Sequence, residues 1–71
     1  MTAGEFLQRL KRLARRNKWI CRYVPHRGKG SHGRVYLGHR FSTIKDLRKE
    51  LPEGLLNDMC RQLGIDKRDL F

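Results

Sequence analysis

The stretch Gly28–Gly33, GKGSHG, gathers three glycines with Lys29, Ser31 and His32 in a chain that has seven glycines in all. Successive glycine amides can converge on a phosphate, and a lysine beside them adds positive charge. A histidine at the end of such a loop can take or give a proton near neutral pH. With Arg34 and Val35 the stretch also spells G-x-G-x-x-G-x-V, the pattern of dinucleotide and kinase phosphate loops. Neither of those fits the surrounding chain. A dinucleotide fingerprint opens a helix at its third glycine, whereas Gly33 leads into RVYL, a strand pattern. A kinase needs a lysine strand, a catalytic loop and a metal-binding loop, which 71 residues cannot hold.

Phosphate contact and proton transfer remain, and in RNA that combination has a built-in target. The ribose 2′-hydroxyl attacks the adjacent phosphodiester once its proton is removed, giving a cyclic phosphate without a metal or a second carboxylate. DNA lacks the hydroxyl, so RNA is the expected substrate. His32 is the candidate general acid–base group, and Gly28, Lys29, Gly30, Ser31, Arg34 and Tyr36 are the candidate RNA contacts.

Composition points to the same class of partner. The chain carries 17 Lys and Arg against 7 Asp and Glu, a formal net charge of +10, and arginine, the residue suited to gripping phosphate, dominates the cations. Nucleic acid is the expected polyanion, with an acidic protein as the rival. Cys21 and Cys60 form no C-x-x-C pair, and the N-terminus shows no signal-peptide pattern, so a reduced, cytoplasmic protein is expected. His26, His32, His39 and the two cysteines lack the paired spacing of a zinc site, and neither a metal nor a cofactor is expected. No apolar run is long enough to span a membrane.

The elements that must position His32 are legible in outline. Thr2 and Glu5 form a T-x-x-E capping box, and Phe6, Leu10 and Leu13 follow at helical spacing, with Leu7 and Ala14 widening the stripe; a helix is predicted over Ala3–Arg16. Its other face carries Arg9, Lys11, Arg12, Arg15 and Arg16, either a solvated charged face or an RNA contact. Trp19–Val24 reads as a strand stopped by Pro25. From Ser31 to Leu37 a second strand puts Val35 and Leu37 on one side and His32, Arg34 and Tyr36 on the other. Gly38 and His39 make a type II′ hairpin turn into a third strand over Arg40–Ile44.

The segment KDLRKEL is charged and poorly periodic. After it Pro52 opens a second helix with Leu55, Leu56, Met59, Cys60 and Leu63 as its buried stripe and Gly64 as its stop. The tail IDKRDLF closes on Leu70 and Phe71, which cover a core edge, dock on a partner or fray. The expected fold is α+β, a single domain over residues 1–71 in the order α-β-β-β-α. Both helices lie on one face of a three-stranded antiparallel sheet and the other face is open.

The order of elements, the small basic chain, GKGSH opening the second strand and KELPEGLLNDMCRQLGI near the end together resemble the HicA toxins of bacterial toxin–antitoxin systems. The resemblance spans nearly the whole chain, from FLQRLKR through NKW to LGI. It implies a double-stranded-RNA-binding-domain-like fold, an mRNA interferase activity, and an acidic HicB-like antitoxin as protein partner. His32 matches the family's catalytic histidine, and Gly30 and Ser31 match the residues that shape the turn before it. The sequence departs from the family at Gly33, where many members carry a histidine or a bulkier residue, and in GHRFSTIKDLRKEL. His26 and His39 match no motif. The competing class is a non-catalytic RNA-binding module of the same fold, with loop and helix cations gripping the backbone.

Overall fold

The computed structural model describes residues 1–25 and 32–71. Helix α1 spans Ala3–Asn17, strands β1, β2 and β3 span Cys21–Val24, Gly33–Leu37 and Arg40–Ile44, and helix α2 spans Glu53–Leu63. A 3-10 turn, Lys67–Leu70, follows. The strands form one antiparallel sheet in the order β1-β2-β3. The expected α-β-β-β-α architecture is thus the observed one.

The capping box forms as its residues dictate. The Glu5 amide donates to Thr2 Oγ1 at 3.1 Å, and the Thr2 amide donates to Glu5 Oε1 at 3.0 Å. That second bond, with help from the Thr2 side chain, holds the Glu5 carboxyl below its usual pKa. The helix's remaining orphan donors are met by the charged segment before α2. Ala3 N–H donates to Lys49 O at 2.9 Å, and Gly4 N–H donates to Leu47 O at 2.8 Å. What reads as an aperiodic linker therefore caps the first helix.

At its other end α1 stops at Lys18, which takes the left-handed conformation (φ 59°) and donates its amide to Ala14 O and Arg15 O. Trp19 N–H also donates to Ala14 O at 2.8 Å. The predicted first strand is shortened by this closure: Trp19 and Ile20 form the exit from the helix, and pairing begins at Cys21.

Phe6, Leu7, Leu10, Leu13 and Ala14 of α1 and Leu56, Met59, Cys60 and Leu63 of α2 are buried with Val35, Leu37 and Ile44, so both helices seal the same sheet face. Leu55, predicted to join the α2 stripe, is instead 44 % exposed. Leu56, Met59, Cys60 and Leu63 follow one another at spacings of three, one and three residues, and the buried arc they define leaves Leu55 at its rim. Pro52 serves as the N-cap residue, one position earlier than predicted, and Leu56 N–H donates to its carbonyl at 2.9 Å. Buried Ser42 is satisfied by donating to Gln62 Oε1 at 2.8 Å.

The hairpin turn has the predicted form: Gly38 has φ 63°, and His39 is not among the positive-φ residues. Of the tail's three predicted alternatives, Leu70 takes the first and is buried against the core, while Phe71 is exposed. Arg9 donates to Leu70 O at 3.1 Å and Arg16 to Asp69 O at 3.3 Å, so part of the basic face of α1 ties down the C-terminus.

Two glycines give opposite expectations. Gly64 has φ 74° and a Cβ there would lie 3.0 Å from Arg40 Nε, whereas a Cβ on Gly54 would meet open space within helix α2. Gly64→Ala should cost about 1–2 kcal/mol, and Gly54→Ala should stabilise by about 0.4–1 kcal/mol. Urea unfolding midpoints that move in the same direction for both variants would contradict these assignments.

Candidate RNA-contacting face

His32 is exposed and immediately precedes β2. Gly33, Val35 and Leu37 are buried toward the helices, while Arg34 is exposed and Tyr36 partly so. Strand alternation carries His32, Arg34 and Tyr36 onto the opposite, open face, as the sequence predicts. The other predicted contacts, Gly28, Lys29, Gly30 and Ser31, lie outside the described residues.

Cross-strand register adds neighbours that no single-strand pattern supplies. Arg22 stands opposite Tyr36, and Tyr36 stands opposite Phe41; Arg34 stands opposite Val24 on one side and Thr43 on the other. The Arg22 guanidinium lies over the Tyr36 ring, 5.0 Å from its centroid, and that of Arg34 lies over the Phe41 ring at 4.8 Å. The two rings are 5.8 Å apart and tilted by 42°. The band Arg22, Tyr36, Phe41, Arg34 thus crosses all three strands. Neither Arg22 nor Phe41 was a predicted site residue. The signal that finds them is the hairpin: once Gly38-His39 is the turn, Phe41 must face Tyr36.

Charge is distributed to match. Between Phe6 and Lys45 the sequence contains twelve Lys or Arg and no Asp or Glu. This segment forms nearly all of α1 and the whole sheet, so the open face carries its arginines without a neighbouring carboxylate from its own strands. Helix α1 adds further exposed cations, Lys11, Arg12 and Arg15.

Gly33 gains a role that its place in a glycine-rich motif conceals. A Cβ there would lie 3.0 Å from the Tyr23 hydroxyl, 3.2 Å from Tyr23 Cε1 and 3.1 Å from the Val24 carbonyl. The third glycine of GKGSHG is therefore a packing residue that lets Tyr23 cross the strand beside His32.

Neither cysteine is an activated nucleophile: burial pushes the thiols of Cys21 and Cys60 up, and nearby Lys11 and Lys67 only partly offset it. Among the described residues no group of His, Cys, Asp and Glu is arranged to hold a metal ion. Among the described residues no helix is long and apolar enough to cross a membrane. The chain matches no protein-family model, and neither curated proteins nor solved structures give a significant match.

The Tyr23 contact can be tested by a double-mutant cycle. Gly33→Ala should cost about 1–3 kcal/mol by overpacking, and less in a Tyr23→Phe background, where the nearest atom is gone. An identical cost in both backgrounds would show that the hydroxyl does not reserve the position for glycine.

Proposed function

We propose that this protein is a metal-independent endoribonuclease of the HicA toxin type, cleaving mRNA with His32 as the general acid–base group. The observation that carries the proposal is the combination at one end of the sheet: an exposed histidine, in strand alternation with Arg34, on an open face that has cations and aromatic rings and no strand carboxylate. The fold is in keeping with a double-stranded-RNA-binding-domain-like scaffold.

In this mechanism the neutral imidazole of His32 takes the proton of a 2′-hydroxyl. The 2′-oxygen then bonds to phosphorus as the bond to the 5′-oxygen breaks, and the departing oxygen receives a proton from the imidazolium or from water. Negative charge growing on the phosphoryl oxygens is stabilised by Arg34, with Lys29 and the Gly28–Ser31 amides as the further contacts implied by the sequence. A protein that cuts its host's mRNA must be silenced, and a chain of net charge +10 is most readily covered by an acidic antitoxin.

His32→Ala should lower RNA cleavage in the presence of chelator by ~10²- to 10⁴-fold, with the unfolding transition retained because the side chain is exposed. Full cleavage by the folded variant overturns the catalytic role. Binding of RNA by wild type without any cleavage would instead establish the non-catalytic binding module.

Arg34→Ala should flatten the salt dependence of RNA binding by about 0.7 in the slope of log K against log salt, the loss of one single-strand phosphate contact. Lys67→Ala should leave the slope unchanged, because Lys67 pairs with Glu53 at 3.0 Å on another surface. Equal slopes for wild type and Arg34→Ala would show that this guanidinium does not meet the backbone.

A further inference from the structure

We infer that the band Arg22, Tyr36, Phe41 and Arg34 is a stacking platform for unpaired RNA bases, and that the substrate is therefore single-stranded at the point of cleavage. The inference rests on the RNA proposal above for its ligand and adds the form in which that ligand is bound. A two-layer domain that simply needed a solvated outer sheet face would place short polar residues there. This face instead exposes Phe41, 45 % accessible, on the edge strand β3, with Tyr36 of the central strand beside it. Each ring is capped by a guanidinium, and no carboxylate belongs to the three strands.

Two partner classes could cover exposed aromatics, protein and nucleic acid, and the pairing of each ring with a guanidinium favours the second. An apolar protein surface would leave Arg22 and Arg34 desolvated without an anion. A nucleotide supplies both requirements from one residue: a flat base for the ring or the guanidinium plane, and a phosphate for the arginine. Each guanidinium already lies over a ring, so either a base adds to the outer side of the cation, or it replaces the cation over the ring and frees it for the backbone.

Pairing state follows from which faces of a base are available. In a duplex both faces are occupied by neighbouring bases, so the rings gain nothing; an unpaired strand can turn a base onto them. The position of His32 agrees with this. It precedes Tyr36 by four residues, about 13 Å at ~3.3 Å per residue, along the same face, so a base on the platform lies within a few nucleotides of the linkage at the histidine. Attack by a 2′-oxygen also needs that oxygen, the phosphorus and the leaving 5′-oxygen in line, a geometry a flexible strand reaches and a stacked A-form strand resists.

The test separates binding from cleavage by using an uncleavable probe. A fluorescein-labelled ten-nucleotide 2′-O-methyl RNA is titrated with the protein by anisotropy, alone and annealed to its complement, with wild type, Tyr36→Ala, Phe41→Ala, Phe41→Leu and Phe41→Trp. The single strand should bind more tightly than the duplex. Each alanine variant should weaken single-strand binding by roughly 5- to 100-fold, and Phe41→Trp should retain it. Phe41→Leu keeps an apolar side chain without a ring, so an equal loss in that variant assigns the effect to stacking rather than to the sheet.

Duplex binding at least as tight as single-strand binding, or single-strand binding indifferent to all four substitutions, overturns the platform and leaves the His32 chemistry standing. Absence of binding to either RNA form, with ring-dependent binding of poly-glutamate instead, overturns it in favour of a protein-docking face. The nuclease proposal is judged separately, by the cleavage assay with natural RNA and His32→Ala.

Discussion

The chain has enough large apolar side chains to seal one face of its sheet, and the rest of the molecule is arranged around that limit. Phe6, Leu10, Val35, Met59 and Leu63 fill the space between the two helices and the inward side of β2, with Leu70 closing its edge. A domain of this size has a high ratio of surface to volume and little apolar area to spare. With both helices committed to one side, the outward residues of β1, β2 and β3 face solvent by construction. Alternation along three paired strands then sets what solvent sees: two arginines, two aromatic rings, Val24, Thr43 and, just before β2, a histidine.

The cost of an open aromatic face is offset locally. Cation–π contacts cover part of each ring and hold each guanidinium against the sheet, at strengths of about 0.5–1 kcal/mol for exposed pairs. That biases the side chains toward the rings and is too little to prevent their exchange for a better partner. Such a surface suits the planar anionic ligand proposed for it, because restricting the arginines before binding reduces the entropy lost when a ligand arrives. The basic surface of α1 is built differently. Arg9 and Arg16 are hydrogen-bonded to the carbonyls of the C-terminal turn, so their contribution is partly structural.

The glycine-rich stretch has two functions in one motif. Gly33 is in the sheet and makes room for Tyr23, so it belongs to the scaffold. The glycines before it, with Lys29, belong to the phosphate chemistry proposed for the site. A six-residue pattern that looks uniform in sequence is divided at His32 by the start of β2.

Local energetics determined much of this protein from sequence alone. The capping box at Thr2 and Glu5, the apolar stripe of α1, the turn at Gly38 and the stop at Gly64 depend on contacts within a few residues, and each is found where the sequence predicts it. The inward and outward sides of β2 follow from alternation in the same way. Tertiary structure alone decided the features that depend on distant residues. Pairing fixed Arg22 and Phe41 as neighbours of Tyr36, and the approach of Tyr23 explained Gly33. Helix packing left Leu55 at the rim, and the docking of residues 47–49 onto the start of α1 gave an aperiodic segment its purpose. The division has one physical cause. A cap or a turn lowers the free energy of its own segment, whereas a cross-strand pair or a helix contact acquires its energy only after the chain has closed the loop that brings the two residues together.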